Sequence, residues 1–185
     1  MIKFTDKYQS GLDKIYSRLL LGYKEKQSSI LEIGIGGGGS LLMYQEILPD
    51  AKIYGIDIIP RPNCLEGTNI KTKVLNQNDS VGLDDIGIEA GGFDIIIDDG
   101  SHFTKETKNC FDILWKYLRP GGIYVIEDWI IGILLKNNSN KSYMESTNDM
   151  DKLIFDIVSK KTELGIRAIE IVLKEDTASY AVFKK

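Results

Sequence analysis

The chain has 185 residues, of which 43% are hydrophobic, and its formal net charge at pH 7 is −4. This length suits one well-buried core and is too short for two ordinary domains, so we expect a single domain over residues 1–185. The acidic balance, without any basic block, excludes a nucleic-acid backbone as the main partner and favours a small or saccharide acceptor. No apolar stretch reaches the roughly 18 residues of a membrane helix, so no membrane partner is expected.

The cysteines and the first ten residues indicate the cellular compartment in which the protein is expected. Cys64 and Cys110 lack metal-type spacing, and the first ten residues lack the apolar run of a signal peptide. We therefore expect reduced thiols and a cytoplasmic protein. Whether it forms a homo-oligomer is left open.

The N-terminal part predicts a helix and then a βαβ pattern. Residues 7–21 carry apolar side chains at helical spacing with Asp6 as N-cap, and residues 1–28 are expected to form a helical cap. Five strand-like runs follow, separated by helical stretches: SSILEIG, KIYGIDI, IKTKVL, FDIIIDDG and GIYVIED. Because they are nearly continuous in Ile, Val and Leu, they predict parallel strands with helices on both faces.

The C-terminal part predicts a loop, a helix and a hairpin. Residues 132–148 are polar and rich in Asn and Ser, which predicts a long loop able to act as a lid. A helix over 149–161 precedes two strand-like runs that turn around Asp176. The expected fold is α/β: a doubly wound, mostly parallel seven-stranded sheet, Rossmann-like, with a C-terminal antiparallel hairpin.

A glycine-rich loop follows the first predicted strand. Gly34, Gly36 and Gly39 match G-x-G-x-x-G, which lets the backbone approach a nucleotide-like cofactor at a helix N-terminus. Asp57 ends the next strand, where a carboxylate accepts hydrogen bonds from ribose hydroxyls. A nicotinamide dinucleotide would use the same features, but Glu32 favours S-adenosylmethionine because its charge attracts the cationic end of that cofactor and repels pyrophosphate. A simple tight turn without a ligand is the alternative.

Two neighbouring predicted strands end in paired carboxylates. Asp98 and Asp99 end FDIIIDD, and Glu127 and Asp128 end GIYVIED. These like charges would crowd one rim of the sheet unless a cation neutralises them. Oxygen ligands favour magnesium, manganese or calcium, and we predict a metal at Asp99, Glu127 and Asp128, with Asp98 facing the cofactor. Such a metal would lower the pKa of a substrate hydroxyl.

His102, the only histidine, follows Asp99 by three residues, and a neutral imidazole there suits a general base. Plainer alternatives stay open. The histidine would then be a surface loop residue, and the carboxylates would be solvated strand ends paired with Lys105 or Arg119. Trp129 directly follows the second acidic pair, a position from which it could line the acceptor pocket.

Together, LEIGIGGGGSL, YGIDI, FDIIIDDGSH, LRPGG and IEDW resemble class I S-adenosylmethionine methyltransferases. The DDGSH segment with a later acidic pair is similar to the metal-dependent macrolide-sugar O-methyltransferases and the related cephalosporin hydroxylase group. The resemblance implies Mg²⁺ (or Mn²⁺) on the predicted ligands, with Asp99 and His102 as the catalytic pair at a sugar hydroxyl. Cofactor contacts are expected from eight residues: Glu32, Gly34, Gly36, Ser40, Asp57, Ile58, Gln77 and Asp98.

The resemblance also covers the N-terminal segment and leaves alternatives. FTDKYQSGLDKIYSRLL looks like the segment that helps cover the active site in those sugar enzymes, which would bring Tyr16 near the cofactor. Asn76 replaces the acid that such enzymes often carry beside the adenine. The competing functions are a hydroxylase-like S-adenosylmethionine-binding protein and a nicotinamide-dependent oxidoreductase, for which the chain shows no second nucleotide-binding half.

Overall fold

The sheet has the predicted architecture. A computed structural model describes residues 5–60, 69–130, 149–173 and 179–185, so the predicted lid over 132–148 and the turn at Asp176 lie outside the described residues. Seven strands form one sheet in the order β3-β2-β1-β4-β5-β7-β6. Strands β1 to β5 are parallel, whereas β7 is antiparallel to both β5 and β6. The strands are β1 Ser29–Ile33, β2 Lys52–Asp57, β3 Ile70–Val74, β4 Phe93–Asp98, β5 Leu118–Glu127, β6 Ala168–Val172 and β7 Tyr180–Lys184.

Helices cover both faces of the sheet, which makes the fold doubly wound. They are α1 Leu12–Leu19, α2 Gly39–Ile47, α3 Ser80–Ala90, α4 Thr104–Leu114 and α5 Met150–Ser159, with short 3-10 turns at Asp6–Tyr8, Leu21–Tyr23 and Trp115–Tyr117. Apolar side chains of α1 and α2 pack on one face, and those of α3, α4 and α5 pack on the other. Among the described residues, no helix combines the length and apolar character needed to cross a membrane.

One local prediction was wrong, and one helix had no prediction of its own. The helix predicted over 7–21 with Asp6 as N-cap begins only at Leu12, because Gly11 adopts a left-handed φ of 75° and separates it from the preceding turn. Helix α3 was not predicted, since glycines interrupt its apolar pattern. A Cβ on Gly82 would lie 2.2 Å from Leu75, and one on Gly87 would lie 2.3 Å from the Tyr117 ring. These glycines therefore allow close packing of α3.

Strand alternation distributes the acidic side chains over the two faces. Successive side chains on a strand point to opposite faces of the sheet. Glu32 on β1 and Glu127 on β5 contact Tyr44 and Tyr16, and so lie on the α1 and α2 side. Asp98 on β4 lies instead on the α4 side, where it packs under that helix. The site described next therefore has a carboxylate layer on each face.

Candidate functional site

Two adjoining cavities lie at the carboxyl ends of the parallel strands, where open α/β sheets bind ligands. The first, of about 470 Å³, is lined by the glycine loop together with Ser40, Asp57, Asp99, His102 and Asp128. The second, of about 360 Å³, has mainly apolar walls, including Ile58, Leu75 and Phe103, and also Gln77. Gly34, Asp57 and Gly100 line both cavities, so one elongated ligand can extend through the two.

The glycine loop packs directly on the backbone of Asp99. Gly34 has a φ of 81°, and a Cβ at this position would lie 2.2 Å from the carbonyl oxygen of Asp99. Gly36 also has a positive φ of 49°, but a Cβ there would meet nothing within 4 Å. The first glycine of the motif is therefore required by close approach as well as by conformation.

Asp57 fastens this loop. Its Oδ2 accepts hydrogen bonds from the backbone amides of Ile35 (3.1 Å) and Gly36 (3.2 Å), and its Oδ1 accepts one from Ile59 (3.0 Å). A carboxylate at the end of this strand is the acceptor that the ribose hydroxyls of a nucleotide-like cofactor use in such folds. The position of Asp57 where the cavities join suits that contact, which stays a prediction.

Glu32 lies beneath the loop rather than in a cavity wall. Its side chain is fully buried and accepts hydrogen bonds from the hydroxyls of Ser40 and Tyr44, the latter at 2.9 Å. Burial raises the pKa of Glu32 to about 7, although the charge of Lys7 opposes the shift. Ser40, which does line the first cavity, thus lies between Glu32 and any ligand there. Direct contact of Glu32 with the cofactor stays a prediction.

Asp98 and Gln77 support the loop that follows β4. The amide nitrogen of Gln77 donates to Asp98 Oδ1 (3.2 Å), and its carbonyl oxygen accepts from the backbone amide of Ser101 (2.8 Å). Burial raises the pKa of Asp98 to about 7. Of the predicted cofactor contacts, Gln77 and Ile58 line the second cavity, whereas Asp98 is among the lining residues of neither.

Asp99, His102 and Asp128 converge on the first cavity, with one ligand atom from each within 4.8 Å of the others. His102 and Asp128 have φ values of 57° and 50°, in the left-handed region that costs free energy for residues other than glycine. Such strain is found mainly at functional sites. Burial lowers the pKa of His102, against the opposing charges of Asp128 and Glu127, which favours a neutral imidazole.

Glu127 belongs to the predicted ligand set, but the structure places its carboxylate outside the cluster that contains its neighbour Asp128. Its Oε1 accepts hydrogen bonds from the Tyr16 hydroxyl (2.5 Å) and the Lys7 ammonium (2.6 Å). Burial raises the pKa of Glu127 to about 7. The structure thus brings Asp99 and Asp128 together with His102, while Glu127 joins Asp99 and Glu32 in a second cluster deeper in the protein.

Three side chains that the sequence analysis considered for the site make contacts within the protein instead. Tyr16 is fully buried against Glu127 and Tyr44, and neither cavity includes it. Trp129 is 5% exposed and belongs to the core. Arg119 pairs with Asp94 at 2.6 Å instead of with the paired carboxylates.

Lys7 is a site residue that the sequence reasoning missed. Its side chain is 2% exposed, and its Nζ lies 2.6 Å from both Asp99 Oδ2 and Glu127 Oε1 and 3.6 Å from Glu32 Oε1. Asp99 and Glu127 follow it by 92 and 120 residues, so no local pattern connects them. The one sequence feature that could have pointed to Lys7 was its position in the segment that resembles the covering segment of sugar methyltransferases.

A sequence model of the family described as "Methyltransferase domain" matches residues 31–129, from β1 through both acidic pairs. The chain belongs to this family. The matched segment contains the glycine loop and every member of the Asp99, His102 and Asp128 cluster. Lys7 and Tyr16 lie outside it.

Two sequence relatives are named O-methyltransferases. The chain is 42% identical over 120 residues to mycinamicin VI 2''-O-methyltransferase of Micromonospora griseorubida, a match that covers 61% of this chain and 30% of that enzyme. It is 41% identical over 120 residues to demethylmacrocin O-methyltransferase of Streptomyces fradiae, with the same coverage. The match thus spans less than a third of these relatives.

Solved structures agree with the methyltransferase fold. The MycE methyltransferase of the mycinamycin pathway, in complex with Mg, SAH and mycinamycin VI, aligns with a TM-score of 0.74 and 29% identity, over 93% of this chain and 48% of MycE. An O-methyltransferase from Bacillus cereus in complex with SAH aligns with a TM-score of 0.66 over 95% of this chain and 81% of that one. Its 17% identity supports the fold alone.

Proposed function

We propose that this protein is an S-adenosylmethionine-dependent and divalent-metal-dependent O-methyltransferase, which acts on a hydroxyl of a sugar or glycosylated metabolite. The observation that carries the proposal is the convergence of Asp99, His102 and Asp128 on a cavity walled by the glycine loop. The similarity to sugar O-methyltransferases of macrolide pathways supports the acceptor class. A cytoplasmic location belongs to the same proposal and is supported by two cysteines without metal-type spacing.

The two cavities suit S-adenosylmethionine. The apolar second cavity matches an adenine ring, Asp57 at the junction matches the ribose, and the polar first cavity matches the methionine part. The carboxylate of Glu32 beneath the glycine loop favours the cationic end of the methyl donor over a pyrophosphate. This charge pattern favours the methyl donor over a nicotinamide dinucleotide.

The donor set of the outer cluster suits Mg²⁺ or Mn²⁺. Asp99 and Asp128 supply carboxylate oxygens, the preferred ligands of both ions, and His102 stands beside them. When bound, the ion supplies Lewis acidity that lowers the pKa of the acceptor hydroxyl. Asp99, which belongs to both clusters, and Asp128 would hold the ion, with Glu127 as the third predicted ligand.

The chain supplies the base for the transfer. His102 lies in the cavity wall, and the lowered pKa keeps its imidazole neutral and able to accept the hydroxyl proton. As the proton moves to His102, the acceptor oxygen bonds to the methyl carbon and the carbon–sulfur bond of the sulfonium breaks, which leaves neutral S-adenosylhomocysteine. The glycine loop and Asp57 line the cavities and would hold the donor, which would supply the methyl group.

Binding measurements test the proposal first. S-adenosylmethionine and Mn²⁺ are titrated separately into chelator-treated protein, with Asp128→Asn as the site variant and Asp112→Asn as the matched control. Asp112 is an exposed carboxylate on α4, paired with Lys108. We expect the wild type and the control to bind both ligands, and Asp128→Asn to lose Mn²⁺ affinity by at least tenfold.

Turnover is then measured with methyl-labelled donor and a panel of glycosides. We expect metal-dependent formation of a methyl ether, and a loss of about 10² to 10⁴ in rate for His102→Gln with donor binding retained. A wild-type protein that binds no S-adenosylmethionine would overturn the proposal. Donor binding with no methyl transfer to any hydroxyl acceptor would favour the hydroxylase-like alternative.

A further inference from the structure

The second cavity has a carboxylate away from the wall that it shares with the first cavity. Gly34, Asp57 and Gly100 line both cavities and so mark the place where the two join. Glu106, in the first turn of α4, lines the second cavity alone. Among the described residues of this cavity wall, Asp57 and Glu106 supply the carboxylates. The second cavity therefore offers an anionic acceptor besides the one predicted for the ribose.

One neighbour holds the carboxylate of Glu106. Its Oε1 accepts a hydrogen bond from Nδ2 of Asn78 at 3.1 Å. The backbone amide of Asn78 in turn donates to Oδ1 of Asn76 at 2.8 Å, which fixes the loop between β3 and α3. Both asparagines also line the second cavity. Among the described residues, Asn78 alone donates to this carboxylate, and it does so through Oε1, so Oε2 can accept a hydrogen bond from a ligand.

Gln77 is the other long polar side chain in the wall of the second cavity. Its Nε2 donates to Asp98 at 3.2 Å, and its Oε1 accepts from the backbone amide of Ser101 at 2.8 Å. Both ends of the Gln77 amide are therefore bonded to the end of β4 and the loop that follows it. Glu106 differs from Gln77 because one of its two oxygens has no such bond to a described residue.

An adenine ring suits this arrangement. The apolar side chains of Ile58, Leu75 and Phe103 offer contact to the faces of a flat ring. The 6-amino group of adenine is a hydrogen-bond donor on the six-membered ring, whereas the ribose is attached to the five-membered ring. With the ribose at Asp57, the six-membered ring would lie in the second cavity away from the shared wall, on the side that Glu106 lines. Hydrogen bonds with an ionised acceptor are stronger than neutral ones.

We propose that Glu106 is a specificity-determining residue of the donor site: its carboxylate accepts a hydrogen bond from the 6-amino group of adenine, and Asn78 holds the carboxylate in place. The inference rests on the donor site of the proposed function and deepens it. It states which side chain selects an adenine nucleoside over a purine that lacks the amino group.

The test compares S-adenosylhomocysteine with an analogue in which hydrogen replaces the 6-amino group, a change that removes the donor and adds no bulk. Both ligands are titrated calorimetrically into the wild type, into Glu106→Met and into the control Glu89→Met. Glu89 is an exposed carboxylate on α3 that pairs with Lys71. We expect the wild type and the control to bind S-adenosylhomocysteine about tenfold more tightly than the analogue, because the analogue cannot make the charge-assisted bond. Glu106→Met should bind the two ligands with affinities that agree within about twofold.

A second variant separates the hydrogen bond from the charge. Glu106→Gln keeps a neutral carbonyl acceptor, so it should retain a smaller preference, of about threefold. Each preference is a ratio measured within one variant, so a change in the stability of that variant does not alter it. A Glu106→Met protein that keeps the wild-type preference, or a wild type that binds the two ligands equally, would overturn the inference. A wild type that binds neither ligand would contradict the donor site of the proposed function, and the inference with it.

Discussion

Replacing Gly34 by alanine should destabilise the fold and weaken donor binding together. The new Cβ would lie 2.2 Å from the Asp99 carbonyl oxygen and 2.6 Å from Gly100 Cα, with the backbone at a φ of 81°. The left-handed conformation costs an alanine about 1–2 kcal/mol, and overpacking adds about 1–3 kcal/mol. We therefore expect the free energy of unfolding to fall by about 2–5 kcal/mol.

The same loop offers two graded controls. Gly36→Ala meets no atom within 4 Å but keeps a positive φ of 49°, so it should cost only the conformational part, about 1–2 kcal/mol. Gly37→Ala meets neither problem and should stay within about 0.5 kcal/mol of the wild type.

Urea unfolding of the three variants in chelator gives the free energies, and calorimetric titration gives donor affinity. Because the displaced atoms belong to Asp99 and Gly100, Gly34→Ala should also lose at least tenfold in affinity for S-adenosylmethionine. A Gly34→Ala variant no less stable than Gly36→Ala would refute the claim that the loop packs on Asp99 without room for a methyl group.

Three further predictions concern stability. Asp98→Asn should raise the free energy of unfolding by on the order of 3 kcal/mol at pH 8 and by almost nothing below pH ~4. The pKa of Asp98 is raised to about 7, so the wild-type protein loses stability as the pH rises from ~4 to ~7. Equal gains at both pH values in urea unfolding would contradict this. Tyr16→Phe should lose about 1–3 kcal/mol by removing a buried hydrogen bond to Glu127, whereas an unchanged Tm would exclude that bond. Gly87→Ala should destabilise α3 by about 1–3 kcal/mol despite the better helix propensity of alanine, since its Cβ would overlap the Tyr117 ring; a higher Tm would argue against this packing.

The sheet could be predicted because each of its strands is one continuous run of neighbouring residues. All seven strand-like runs formed strands, and the parallel order followed from the helices between them. Helix α3 was missed because Gly82 and Gly87 weaken its helical pattern, and their purpose depends on Leu75 and Tyr117, which lie outside the helix. Tertiary packing explains these glycines, and packing of that kind cannot be read from propensity alone.

The site was predictable where its residues are close in sequence. Asp99 and His102 share one loop, so their convergence follows from the chain itself. The role of Glu127 and Asp128 as joint ligands stays a prediction; the sequence reasoning did not consider strand alternation, which turns neighbouring side chains to opposite faces. Glu127 points towards α1, and Asp128 reaches the cavity with a left-handed backbone. Lys7 could not be placed because its partners are far along the chain.

The contact between Gly34 and Asp99 has a thermodynamic consequence. The loop that would surround the donor and the carboxylate that would hold the metal touch through backbone atoms, with no side chain between them. A shift of either wall must therefore move the other. If the metal strengthens donor binding by some factor, linkage requires that the donor strengthen metal binding by the same factor, so each ligand would act as an effector of the other.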